Sequence, residues 1–167
     1  MDQATVLVWL KLVHVGAAFA FVAGHGVSML VSFRLRHERE AARMLALLDF
    51  SGFSLGLAIS GAIVLLIAGI LDGIVGGLFG RAWIWVALVM FVTIGMLMTP
   101  LESKHLNLVR QALGQRTRHE KAGDPDPFPL PFDQVHDLTL ERSPERGLLV
   151  GGGGFLVILA LMVLKPF

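Results

Sequence analysis

Two histidines in the first apolar stretch are the residues whose type and position best suit chemistry in a membrane. His14 and His25 lie in a run from residue 4 to residue 33 whose one formal charge is Lys11. An ionisable side chain at membrane depth is costly, so by default it indicates a functional role. Eleven helical residues apart, the second ring lies within about 20° of the first and ~16 Å further along the axis. The two histidines therefore share one face, which we expect to point into a bundle.

A histidine that projects inward from a helical bundle commonly holds a b-type haem, which is the first chemistry these residues predict. A site with two histidine ligands needs a second ring at similar depth on another helix. His105, near the inner end of the third apolar stretch, is the candidate for that position. We therefore expect His25 and His105 to pair, with His37 as a substitute for His25. The alternative is structural, with each imidazole hydrogen-bonded to a backbone carbonyl or serine of a neighbouring helix.

His14 lies closer to the N-terminal end of the same stretch and has different predicted partners. The third apolar stretch presents Met90 at its level, which predicts a histidine–methionine haem site or one with a single protein ligand. Lys11 precedes His14 by about one turn and is close enough to meet an anionic group such as a haem propionate. Two alternatives remain open: Met90 fills space in the bundle, and Lys11 extends to the membrane interface.

The composition places these residues in a small membrane protein. Of the 167 residues, 54% are hydrophobic and 16% are charged, whereas a soluble domain is about 45–50% apolar and roughly one quarter charged. The absence of cysteine excludes disulfides, thiolate metal sites and cysteine nucleophiles. The net charge of +1 gives no indication of nucleic-acid binding, so the expected environment is the lipid bilayer.

Four stretches are long enough to cross a bilayer, which takes about 20 apolar residues. They predict an all-α, four-helix transmembrane bundle that forms a single domain from residue 1 to residue 167. Four basic residues follow the first helix and seven follow the third, out of 14 in the chain. Basic residues favour the cytoplasmic side, so both termini are predicted outside and both charged connections in the cytoplasm. The predicted helices span residues 4–35, 50–79, 82–118 and 144–165.

Shorter patterns refine this outline. Glycines between residues 72 and 81 predict a tight hairpin, and four prolines within residues 124–132 predict an extended path. Ser143 followed by Pro144 predicts a capped start for the fourth helix. Small residues four apart in the first two helices, and the glycine run 151–154, predict close helix crossings.

The sequence also resembles a known family. The motifs W-L-K-L-V-H-V at residues 9–15, T-P-L-E-S-K-H-L at 99–106 and L-M-V-L-K-P at 161–166 are similar to the CopD-like superfamily, in particular its branch of uncharacterised predicted integral membrane proteins. The start also resembles the W-x-K-x-x-H of HemJ-type protoporphyrinogen oxidases, which implies His14 as a haem ligand with Lys11 as its companion. The N-E-x-P-like segment of those oxidases is missing near the end of the third helix. The resemblance therefore implies a haem site without implying the oxidase activity.

These observations lead to three functional hypotheses for a multi-pass protein of the bacterial inner membrane. The first is a b-type haem protein or electron-transfer subunit, with a quinone or other membrane redox subunits as partners. The second is a non-catalytic subunit or scaffold whose histidines are structural. The third is copper handling, which the copper-resistance D proteins of the same superfamily imply. On a helix Met96 and Met98 lie about 200° apart, so they do not converge on one copper ion.

Overall fold

The computed structural model describes residues 2–117, 120–121 and 123–166, apart from the side chains of residues 99 and 100. In this part of the chain, four helices are long and apolar enough to cross a membrane. The predicted all-α architecture with four spanning helices is therefore confirmed. The four spanning helices are Gln3–Leu35, Ala41–Val75, Ala82–Ala112 and Pro144–Leu164.

The first two spanning helices are regular, whereas the third and the last each contain a π-helical segment. In chain order, the elements are α1 (Gln3–Leu35), α2 (Ala41–Val75), a 3₁₀ turn (Leu78–Gly80), α3 (Ala82–Met98), a first π-helical segment (Thr99–Ser103), α4 (Lys104–Ala112), α5 (Phe132–Leu140), α6 (Pro144–Gly147), a second π-helical segment (Leu148–Gly153) and α7 (Gly154–Leu164).

The structure differs from the prediction in the charged connections. The second helix begins at residue 41 and not at residue 50, and α5 has no counterpart among the predicted helices. Both differences have one cause. Met44 and Leu48 of α2 pack with Val109 of α4 and Val135 of α5 in a small core, where all four side chains are fully buried. These four residues lie outside the apolar stretches, so a search for long apolar runs does not detect their contacts.

Two glycines in the left-handed conformation lie at the points where helices stop. Gly77, with φ +65°, precedes the turn Leu78–Gly80, which confirms the tight hairpin predicted between the second and third helices. Gly114, with φ +79°, follows α4, so the third spanning helix stops at Ala112 and not at the predicted residue 118. Glycine adopts this conformation at no steric cost, unlike other residues.

α1 and α2 pack together along most of their length because small residues let their backbones approach. A Cβ at Gly24 would stand 2.6 Å from backbone atoms of Ser54 and Ala58. A Cβ at Gly61 would stand 2.7 Å from the backbone nitrogen of Phe21. Apolar side chains gain little by leaving lipid, so close packing of this kind is what holds membrane helices together.

The four spanning helices form two pairs that leave one side of the bundle open. α3 packs along α7 as α1 packs along α2. The pairs meet at Phe21 of α1, whose ring lies 5.8 Å from that of Phe91 in α3 and 5.4 Å from that of Phe155 in α7. A space of about 790 Å³ remains between α2 and α3, and its lining includes Ala62, Val92, Phe21 and Phe155. We call this space the lateral cleft.

Candidate functional site

The lateral cleft is apolar over most of its length and polar at one end. Asp49, Asn107 and Arg110 line the end nearest the charged connections. Arg110 donates hydrogen bonds to Asp49 Oδ1 at 2.8 Å and to Gln115 Oε1 at 3.0 Å, and also to the carbonyl of Leu48. Binding sites for small molecules typically combine an apolar lining with a few placed polar groups. The cleft has this composition.

His25 lines the lateral cleft and has a ring nitrogen without a partner. Its Nε2 is buried and makes no hydrogen bond within the part of the chain that the structure describes. The ring stacks on Phe21, with 6.1 Å between centroids and 8° between planes. Nε2 takes the space where a Cβ of Gly151 would stand, and Met98 Sδ lies 3.2 Å from that same position. An imidazole nitrogen and a thioether sulfur thus converge at a glycine.

His14, by contrast, is bonded to the neighbouring helix. Its Nδ1 lies 3.0 Å from the carbonyl oxygen of Leu65 in α2 and donates to it, which leaves the lone pair of a neutral ring on Nε2. Gly69 makes room for the ring, because a Cβ there would stand 2.8 Å from Cε1. Lys11 forms an ion pair with Asp72 of α2 at 3.2 Å. Both predicted site residues at this end of α1 therefore bind α2.

The predicted pair of His25 and His105 does not face a common space. His105 lines a small cavity together with Ser32 and Leu35 of α1. Ser32 lies seven residues beyond His25, which is about 10 Å along the helix. The substitute residue His37 is exposed in the turn after α1. Two axial ligands of one haem lie on opposite sides of the same iron, so this arrangement does not fit a bis-histidine haem.

The predicted pair of His14 and Met90 is separated by a similar distance. Phe91, which adjoins Met90, contacts Phe21. Phe21 lies seven residues from His14, again about 10 Å along α1. Met90 therefore lies at the level of Phe21, and the ring of His14 is directed at α2.

A haem with a single protein ligand meets a different obstacle at His25. Gly151 and Met98 fill the side of the ring that carries Nε2, so a porphyrin does not fit there with the imidazole in this position. In the described ranges, no three histidine, aspartate or glutamate side chains form a group that holds a metal ion. The position of His25 therefore does not support a haem at that ring, and a haem held by His14 alone stays a prediction from the sequence.

The carboxylate of Glu102, which is not among the site residues predicted from the sequence, contacts the same face of α1 about two turns beyond His25. Glu102, in the first π-helical segment, accepts a hydrogen bond from Ser32 of α1 at 2.9 Å. Its other oxygen takes the space where a Cβ of Gly147 would stand. The sequence feature that could have identified Glu102 is its position as an acidic residue at the end of an apolar stretch. An ionisable side chain at such a position indicates a functional role by default, as a histidine does.

The last spanning helix accommodates both polar side chains by means of glycine. Gly147 and Gly151 are one turn apart and admit Glu102 and His25, respectively. Glu102 lies in the first π-helical segment and Gly151 in the second. Such segments are rare and occur frequently at functional sites. Pro100, which has no N–H to donate, accounts for the irregular hydrogen bonding of the first segment.

Comparison with models of known protein families, with characterised proteins and with solved structures finds no match for this chain. The resemblance to CopD-like proteins therefore stays an expectation from the sequence, and the function must be inferred from the geometry of the site.

Proposed function

We propose that this protein binds a membrane-soluble molecule with a neutral polar head and an apolar body in the lateral cleft, and that this molecule is a quinone. The observation that carries the proposal is the cleft itself, about 790 Å³ in volume, with apolar walls and one polar end. Ligand pockets typically measure about 300–1,000 Å³. The sequence predicts a quinone as a partner, and the cleft suits that class of molecule.

The charge balance at the polar end favours a neutral head group. Arg110 pairs with Asp49 at 2.8 Å, and Arg116 pairs with Asp126 at 2.7 Å. Since each cation already has a carboxylate partner, a ligand with two carboxylates, such as haem, would have to displace both. A quinone carbonyl requires only hydrogen-bond donors, and the side chains of Asn107 and Arg110 supply them.

The remainder of the cleft suits an aromatic ring and an isoprenoid chain. Phe21 contacts Phe91 and Phe155, and the imidazole of His25 stacks on the same ring. Aromatic rings that pack offset or edge-to-face contribute about 0.5–1.5 kcal/mol beyond burial. The gap between α2 and α3 gives a long apolar chain a path from this surface to the bilayer.

Bound quinone is measured directly by extracting the purified protein with organic solvent and analysing the extract by chromatography with mass detection. Ala62→Phe places a ring in the cleft, whereas Ile63→Phe adds the same ring at a neighbouring position that does not line it. We expect quinone in the wild type and in Ile63→Phe, and about tenfold less in Ala62→Phe, which is about 1.4 kcal/mol of binding free energy.

Two results of this experiment overturn the proposal. One is an extract of wild-type protein without quinone, even after incubation with a short-chain benzoquinone. The other is equal quinone content in both variants. An absorption spectrum of the same preparation tests the haem prediction, because a Soret band that shifts on reduction would show that the protein binds haem.

Copper handling is a second candidate, which one specific observation favours. Met98 Sδ and His25 Nε2 converge on the same glycine, Gly151. Thioether and imidazole ligands suit copper, and Met98 lies beside the same glycine as His25 without any contribution from Met96. Metal analysis of the preparation described above decides between the candidates, since stoichiometric copper without quinone supports this one.

A further inference from the structure

A single serine proton lies between two acceptors next to Glu102. Ser32 Oγ is 2.9 Å from Glu102 Oε2 and 3.1 Å from the backbone carbonyl of Ser28. A hydroxyl has one proton to donate, an ionised carboxylate only accepts, and a protonated carboxyl group also donates. The Ser32 proton therefore has two possible directions, and the protonation state of Glu102 selects between them.

We propose that Glu102 is a proton-binding site whose occupancy reverses the hydrogen bond between α1 and the third spanning helix. With the carboxylate ionised, Ser32 donates to Glu102. When Glu102 takes up a proton, its O–H donates to Ser32 Oγ, and the Ser32 hydroxyl turns to the Ser28 carbonyl. The proton comes from water on the side of the charged connections and returns there, so no other reactant is required.

The carboxylate is held in the position that this exchange requires. One oxygen is fixed by Ser32, which is itself buried, and the other lies in the space of the absent Gly147 side chain. Met29 Cε lies 3.2 Å from that same position and closes it on the α1 side. Glu102 is thus held between α1 and the last spanning helix.

The surroundings of Glu102 extend towards the charged connections. Glu102 lines a small cavity together with His105 and Arg142. Arg142 is exposed and donates to the carbonyl of Leu101 at 2.7 Å, so its guanidinium lies between the cavity and water. The titratable and charged groups around the site are His105 and Lys104 on α4, Glu141 and Arg142 before the last spanning helix, and the ion pair of Arg36 with Glu145 at 3.6 Å.

Infrared difference spectroscopy of the lipid-reconstituted full chain during a pH step tests the proposal. We expect a band pair from one carboxyl group that alternates between protonated and ionised states. Glu102→Gln, which keeps the shape and a hydrogen bond to Ser32, should remove it. Glu40→Gln, an exposed acid at the start of α2, should leave it unchanged.

Ser32→Ala provides a measurement that does not depend on how well Glu102→Gln folds. It removes the acceptor of the proposed bond, so the carbonyl band of protonated Glu102 should move to higher frequency. A band pair that persists in Glu102→Gln, or one whose frequency is the same in Ser32→Ala and the wild type, would overturn the proposal. Neither result depends on quinone, so failure here is separate from failure of the proposed function.

Discussion

The two histidines of α1 lie on one face of the same helix and yet have opposite surroundings. His14 donates to the carbonyl of Leu65 and fits into the space beside Gly69. His25 fits in the same way beside Gly151, but its Nε2 is buried without a hydrogen-bond partner in the part of the chain described. The first ring therefore links a helix pair, whereas the second has a ring nitrogen that is available for another role.

The surroundings of the two histidines differ because the bundle has a closed side, where α1 packs on α2, and an open side, which contains the lateral cleft. Where α1 contacts α2, backbones touch and polar groups are paired, as in the 2.9 Å hydrogen bond between Ser28 and Ser54. Where α1 faces the lateral cleft, aromatic rings and the imidazole of His25 line an open space, while the unpaired Nε2 of that imidazole lies buried beside Gly151. A buried polar atom without a partner calls for a specific explanation. The open side of the bundle, and not the closed side, is therefore the place to look for function.

The largest expected effect comes from disrupting the closed side. Gly61→Ala places a Cβ 2.7 Å from the backbone of Phe21, and backbone atoms cannot move aside as side chains do. Overpacking of this kind costs about 1–3 kcal/mol. Gly56→Ala, on the same helix but with nothing within 4 Å of its Cβ, should be neutral or stabilising because alanine favours helix. Thermal midpoints in detergent measure both, and equal midpoints would show that the two helices are not in backbone contact.

A smaller effect separates the two histidines directly. His14→Phe loses the hydrogen bond to Leu65, and we expect a loss of about 1 kcal/mol. His25→Leu removes an unpaired polar nitrogen without placing a larger ring against Gly151 and Met98, so stability should stay equal or rise by up to ~1 kcal/mol. Denaturation of both variants in the same detergent tests this ordering. A loss in His25→Leu as large as that in His14→Phe would mean that Nε2 has a partner after all.

The smallest expected effect concerns the ion pair near the hairpin. Lys11 is 57% exposed, and exposed ion pairs contribute about 0–1 kcal/mol. Asp72→Asn should therefore lower the stability by less than His14→Phe does, and the loss should shrink further in high salt. If Asp72→Asn instead proved the more damaging variant, Lys11 and not His14 would be the main link between these ends of α1 and α2.

The sequence predicted the face of the histidines but not their neighbours. The helical repeat fixes the angle between His14 and His25, since it depends on the backbone alone. It does not say that α2 covers one ring and the last spanning helix the other. The pairing of His25 with His105 and the level of Met90 relative to His14 were predicted from residue counts along each helix. In the structure, the members of each pair are about two helical turns apart along α1, because neighbouring helices are offset relative to one another.

Glu102 and Met98 illustrate the same limit. Their types were visible in the sequence, but the approach of Met98 and His25 to one glycine and the hydrogen bond of Glu102 with Ser32 bring together residues about 70 positions apart. Such contacts depend on which helices adjoin and on where glycine leaves space. Neither property follows from the local pattern around either residue.

Sequence alone determined that this chain forms four spanning helices. Within a bilayer, an apolar segment of sufficient length must satisfy its backbone hydrogen bonds internally, and a helix does so without reference to other segments. Only the tertiary structure decided that α1 contacts α2 closely, that the side between α2 and α3 stays open, and that His25 rather than His14 borders the resulting cleft. These outcomes depend on the fit of one helix surface to another, which is a property of pairs of segments and not of any one of them.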